Sequence, residues 1–198
     1  MTELAAPAER AASTETAKGA SIVKRVWDRL GVVFYNFFIT YMPGHWLRLG
    51  VLRLWGAKIG KDTSVFRGTT VLGIDKLRIG EATVISFRCL LDARGGLTIG
   101  NSVVIASDVH FITGTHFPDS DTFEYTLLPI AIGDHAWIAS RATVLPDVTI
   151  GRGAVVGATS LVRDDVADME IVAGVPAKVR GQRESALAYR PTYKPPFF

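Results

Sequence analysis

The chain has 198 residues, 48% of them hydrophobic, and a formal net charge of +3 at pH 7. That length fits one compact domain with end segments, and the mild charge, without a dense basic run or aromatic-basic interleaving, argues against nucleic acid as a partner. A single cysteine, Cys89, excludes an internal disulfide framework and fits a reducing compartment, the cytoplasm.

Residues 1–20 are rich in Ala, Glu, Ser and Thr, a composition that predicts disorder. Glu3, Glu9 and Glu15, with no adjoining apolar core, argue against a secretion signal. Residues 21–57 differ sharply, carrying Trp27, Phe34, Tyr35, Phe37, Phe38, Tyr41, Trp46 and Trp55. Gly31 weakens this stretch, Asn36 interrupts it, and Pro43-Gly44 breaks it, which predicts one helix and then a second from about His45 to Trp55. Neither reaches the ~20 apolar residues that a bilayer span needs. Two placements stay open, and they are compatible. The helices cap the open end of the following domain, or they make peripheral contact with a membrane, with Lys24, Arg25, Arg29, Arg48 and Arg53 facing anionic lipid.

From residue 58 to 174 a six-residue beat takes over: IGKDTS at Ile59, IGEATV at Ile79, IGNSVV at Ile99, IGDHAW at Ile132, IGRGAV at Ile150. Such repeats predict a β-helix, in which each unit gives one short strand and a turn, and three units make a coil. Ile132, Ile150 and Asp168 stand eighteen apart, the length of one coil; Ile59, Ile79 and Ile99 stand twenty apart, which predicts a two-residue insertion at a corner. Aliphatics then stack from coil to coil as a continuous core. A doubly wound α/β fold is a poor competitor, because no amphipathic helix separates the strands.

The beat fails once, at residues 112–129, where TGTHFPDSDTFEYTLLP forms an extruded loop holding His116, Asp119, Asp121 and Glu124. A loop of this size on a rigid coil is where function is expected. Residues 175–198 leave the coil through a segment expected to be partly helical and to cap the last coil. The four histidines lack the spacing of a metal cluster, so no metal is expected.

Several segments carry a family resemblance: TGTHFPD around His116, PIAIGDHAWIAS from Pro129, ATVLPDVTIGRGAVVGATSLV from Ala142, and VAGVPAKV from Val172. With weaker likeness back to about Tyr35, the chain resembles the hexapeptide-repeat acyltransferases, especially the maltose, galactoside and exopolysaccharide O-acetyltransferases. The resemblance implies a left-handed parallel β-helix, all-β in class, with N-terminal helices and a short C-terminal helical tail. It also implies a homotrimer with active sites between subunits, acetyl-CoA as co-substrate, and a glycan, sugar-nucleotide or lipid-linked sugar as acceptor.

The chemistry agrees with that expectation. An alcohol is a poor nucleophile at pH 7, and a base is needed to take its proton; imidazole, with an unperturbed pKa of ~6.5, suits the task. By resemblance His116 is that base, with Glu124 as the carboxylate that orients it. The same resemblance places Trp137 against the pantetheine arm and the Ser140 backbone N–H at the oxyanion. It puts Gly157 and Ala158 along the cofactor groove, and Arg163 and Lys178 near the phosphates and adenine. Ser86, Arg88 and Asp92 are the acceptor-binding candidates. Here the chain departs from the Asn-Phe-x-Cys segment of the maltose and galactoside enzymes, reading Ser86-Phe87-Arg88-Cys89, which favours a polysaccharide precursor over a free disaccharide. A Thr-Lys pair of the family is likewise replaced by Arg163-Asp164. Two other functions fit the same fold: N-acetylation of an amino sugar or antibiotic, and a non-catalytic trimeric scaffold.

Overall fold

A computed structural model describes residues 22–193; the segment 1–20 expected to be disordered lies outside the described residues. Residues 58–173 wind into a β-helix whose short strands stack as three sheets, parallel throughout the coil. Sheet one holds β1 (Lys58–Ile59), β4 (Leu77–Ile79), β7 (Leu97–Ile99), β12 (Ile130–Ile132) and β15 (Thr149–Ile150). Sheet two holds β2 (Ser64–Val65), β5 (Val84–Ile85), β8 (Val104–Ile105), β13 (Trp137–Ile138), β16 (Val155–Val156) and β18 (Glu170–Ala173), closed by β19 (Lys178–Gln182), which pairs antiparallel with β18. Sheet three holds β3 (Thr70–Leu72), β6 (Leu90–Asp92), β9 (His110–Phe111), β14 (Thr143–Val144) and β17 (Leu161–Val162).

The inward aliphatics of the beat make the core: Ile79 lies opposite Ile99, Ile99 opposite Ile132, and Ile132 opposite Ile150, all buried. The glycine after each isoleucine has a steric reason. A Cβ on Gly80 would lie 2.6 Å from the carbonyl of Gly100 in the next coil, so only glycine fits where coils touch backbone to backbone.

The twenty-residue period of the first coils is observed, with Ile59 opposite Ile79. Its two extra residues fall at the edge between sheets three and one, where Ile74–Lys76 forms a 3₁₀ turn. The eighteen-residue period holds from Ile132 to Ile150, but its extension to Asp168 does not. Ile150 bridges Val166 instead, shortening the last coil at the same edge. Val166 takes the buried seat, and Asp168 Oδ1 accepts a hydrogen bond of 2.7 Å from the Arg152 backbone N–H.

Helices α1 (Ile22–Phe34) and α2 (His45–Leu54), joined through a π-helical turn at Tyr35–Ile39, cover the first coil. Tyr35, Ile39, Leu49 and Leu52 join the core cluster beside Val65, Val71 and Leu77. Side chains replace the missing coil above. The Asn36 amide donates to the Val71 carbonyl and accepts from the Val71 N–H, both at 2.9 Å, as a neighbouring strand would. Arg48 donates to the carbonyls of Val65 (2.9 Å) and Met42 and is fully buried, so it caps the coil and does not face lipid as the sequence suggested. Gly31 also has a packing reason, since a Cβ there would lie 2.1 Å from the Trp55 ring. Among the described residues no helix is long and apolar enough to cross a membrane.

The tail corrects a second expectation. Beyond β19 it is irregular, without a helix among the described residues. Glu184 to Arg190 contains good helix formers, but tertiary contacts override that weak preference. Leu187 is buried against Gly153, the Tyr189 hydroxyl donates to the His135 carbonyl at 3.0 Å, and Arg190 pairs with Asp62 at 3.0 Å. The tail therefore runs back along the edge between sheets one and two, toward the first coil.

Candidate active site

The interrupted repeat becomes a two-stranded antiparallel hairpin, β10 (Gly114–His116) and β11 (Tyr125–Leu127), projecting from the edge between sheets three and one. Its register sets His116 opposite Tyr125. The exposed imidazole stacks on Phe123, with ring centroids 4.3 Å apart and planes 13° apart, and lies 5.1 Å from the Tyr125 ring. Its Nδ1 is 3.0 Å from the Phe123 carbonyl oxygen. A carbonyl oxygen only accepts, so Nδ1 carries the hydrogen, and in the neutral ring Nε2 then keeps its lone pair. This tautomer is the one a general base needs.

Glu124 does not hold that ring. Its carboxylate accepts from the Thr122 hydroxyl at 2.8 Å, and its main-chain oxygen accepts from the Phe117 N–H. The orienting group is the Phe123 carbonyl, at a residue with φ of +48°.

The base of the hairpin is tied down by Asp92, which is 1% exposed. Its carboxylate binds Arg94 through two contacts of 2.8 and 2.9 Å and accepts from the Thr113 N–H at 3.1 Å. Burial alone would push the Asp92 carboxyl up, but Arg94 and the N–H groups of Arg94 and Thr113 outweigh it and hold the carboxyl below the usual range. Arg94 in turn lies over the Tyr125 ring, 5.9 Å from its centroid. Asp92 is thus spent on the hairpin's base and is not open to an acceptor within the protomer.

Ser86 and Arg88 lie elsewhere, at the edge between sheets two and three. The Ser86 hydroxyl is 3.1 Å from that of Ser107, and Arg88 makes a two-pronged pair with Asp108 at 2.8 Å. The three acceptor candidates are therefore not brought together in one chain. Cys89 is 1% exposed, its thiol pushed up to about 12 by burial.

Of the cofactor candidates, Trp137, Ser140, Gly157 and Ala158 gather at the same edge as Ser86. Trp137, on β13, is 47% exposed, and Ser140 and Ala158 are exposed at the turns that follow β13 and β16. The Ser140 N–H has no acceptor among the described residues, while its carbonyl takes the Thr159 N–H. A Cβ on Gly157 would lie 2.8 Å from the Ala173 side chain, which explains the small residue there. Arg163 and Lys178 line one cleft of about 210 Å³ at the last coil. Among the described residues no group of three or more His, Cys, Asp or Glu is placed to hold a metal ion.

Residues 129–164 match the family described as bacterial transferase hexapeptide (six repeats). The colanic acid biosynthesis acetyltransferase assigned as WcaF in Escherichia coli (strain K12) is 36% identical over 69% of this chain and 75% of its own length. The chain belongs to the hexapeptide-repeat acetyltransferases. A Vibrio cholerae hexapeptide-repeat acetyltransferase solved with acetyl coenzyme A superposes with a TM-score of 0.72 at 26% identity, over 82% of this chain and 88% of that one. A galactoside acetyltransferase solved with coenzyme A gives 0.71 at 26% identity, over 82% of each chain. The coil is accordingly a left-handed β-helix, and the protein is an acyltransferase.

Proposed function

We propose that this acetyltransferase moves the acetyl group of acetyl-CoA onto a sugar hydroxyl of a glycan or polysaccharide precursor. One observation carries the reading: the imidazole on the extruded hairpin is held through Nδ1, leaving Nε2 to act. Nε2 of His116 takes the acceptor hydroxyl proton as that oxygen bonds to the thioester carbonyl carbon. When the C–S bond breaks, the imidazolium returns the proton to the departing thiolate. The Ser140 N–H is the donor for the charge that develops on the carbonyl oxygen. Trp137, Gly157 and Ala158 take the pantetheine arm, and Arg163 and Lys178 the phosphate end.

These groups lie on different edges of one coil. A homotrimer that sets the hairpin edge of one protomer against the Trp137 edge of the next completes the site. Relatives named for colanic acid and galactoside acetylation support a sugar acceptor. The enzyme works in the cytoplasm, at the inner membrane face. Helix α1 and the π-helical turn after it support this, exposing Val26, Leu30, Phe34, Phe37 and Phe38 on a segment that also exposes the cations Lys24, Arg25 and Arg29.

The test is a panel of pyranosides, nucleotide sugars and lipid-linked sugars incubated with acetyl-CoA, with amino sugars as controls. Mass spectrometry is expected to find an alkali-labile O-acetyl ester. An N-acetyl product alone would overturn the reading.

A further inference from the structure

The hairpin edge carries a second feature that the acetyl-transfer chemistry does not use. Between α1 and the first two coils lies a groove of about 410 Å³, walled by Val32, Val33, Trp55, Leu72 and Ile74. Its size falls within the ~300–1,000 Å³ of small-molecule sites, and such sites pair apolar walls with a few placed polar groups. The polar side chains that line it are Asp28, Arg29, Asp75 and Arg94. Lys24 bridges both acids, at 2.6 Å to Asp28 and 3.2 Å to Asp75. Arg94 is committed to Asp92. Arg29 has no ion-pair partner among the described residues, so its guanidinium is left to pair with a ligand's anion beside an apolar slot, while Lys24 and Arg29 together balance the formal charge of Asp28 and Asp75. Arg94 also links this slot to the catalytic hairpin, because the same guanidinium lies over Tyr125, whose ring is 5.1 Å from that of His116.

We propose that the groove binds the hydrocarbon chain of a lipid-linked acceptor, with the phosphate that joins chain to sugar on Arg29. Arg forms two-pronged contacts with phosphate, and a chain in the groove leaves its sugar at the hairpin edge. The chain's own N-terminal segment is a poor occupant, since residues 1–21 offer only Met1 and Leu4 as large apolar side chains. The exposed apolar side of α1 continues from Val33 at the groove's rim, so a bilayer seated there would deliver such a chain. The inference rests on the O-acetyltransferase reading for its acceptor, but its binding test does not.

The probe is farnesyl monophosphate, titrated into the full-length protein by calorimetry beside farnesol and inorganic phosphate. Farnesyl phosphate is expected to bind saturably at one site per chain, and inorganic phosphate not to bind. Arg29→Gln should weaken farnesyl phosphate ~10-fold, the worth of one charge-assisted contact, and leave farnesol unchanged. Leu72→Glu should abolish binding of both while acetyl transfer to a water-soluble acceptor persists. If Leu72→Glu lowers the melting temperature, Val33→Phe narrows the groove from a half-exposed position and should give the same loss. Binding of inorganic phosphate alone, or farnesyl phosphate binding that survives both groove variants, would overturn the proposal. So would self-association that Leu72→Glu abolishes, because a second copy would then fill the groove. Transfer to soluble acceptors without farnesyl phosphate binding sinks the groove alone. Binding without any transfer from acetyl-CoA sinks the functional reading and leaves the groove standing.

Discussion

His116 Nδ1 and the Phe123 carbonyl oxygen lie 3.0 Å apart, across a hairpin whose rings stack at 4.3 Å. The main chain of one strand's approach thus fixes the tautomer of the side chain on the other. In the neutral ring the hydrogen is on Nδ1, and ¹⁵N correlation spectra of the labelled protein should show that form for His116. A neutral ring protonated at Nε2 would remove the base from this account.

Asp92 ties the hairpin's base to the coil, and its depressed carboxyl links that tie to pH. A group whose folded value lies below its unfolded one adds stability above the unfolded value of ~3.9 and loses it as pH falls through the folded value. Asp92→Asn should therefore be less stable than wild type by ~1–3 kcal/mol at neutral pH, the penalty for breaking a buried charged hydrogen bond. The gap should close in acid. Thermal melts from pH 7 downward check this, and a gap that widens in acid would contradict it.

Gly31 gives α1 its contact with Trp55. A methyl group 2.1 Å from that ring forces the helix or the indole to move. Gly31→Ala should destabilise by ~1–3 kcal/mol, as overpacking does, despite alanine's better helix propensity. A rise in melting temperature would mean that the helix does not sit against Trp55.

Cys89 is buried, donates its thiol hydrogen to the Ala106 carbonyl at 3.2 Å, and has its pKa pushed up to about 12. A thiol-disulfide reagent at pH 8 should leave it unmodified in the folded protein and label it fully in denaturant. Rapid labelling of folded protein would place the thiol at the surface.

Much of the coil was legible because its steric rules act on residue type. Ile-Gly marks where an aliphatic turns inward and a backbone meets the next backbone, as Gly80 meets Gly100. Position alone misled at Asp168, since a two-residue shortening at one edge leaves the hexapeptide look intact while moving Val166 into the buried seat. Glu124 was misread for a different reason. The sequence advertises carboxylates, whereas the group that orients His116 is a main-chain carbonyl, which every residue owns. The hairpin register, setting Tyr125 opposite His116, is what leaves Glu124 to Thr122. The inward use of Arg48 was likewise unreadable, because a guanidinium capping a coil and one facing lipid have the same local sequence.

Initial rates of acetyl transfer for His116→Ala and Glu124→Gln, measured side by side, test the central claim most directly. His116→Ala should lose ~10²–10⁴-fold, the usual worth of a positioned base. Glu124→Gln should keep the wild-type rate, because its carboxylate does not touch the imidazole. An unaffected His116→Ala enzyme, or a Glu124→Gln enzyme impaired as deeply as His116→Ala, would contradict the account.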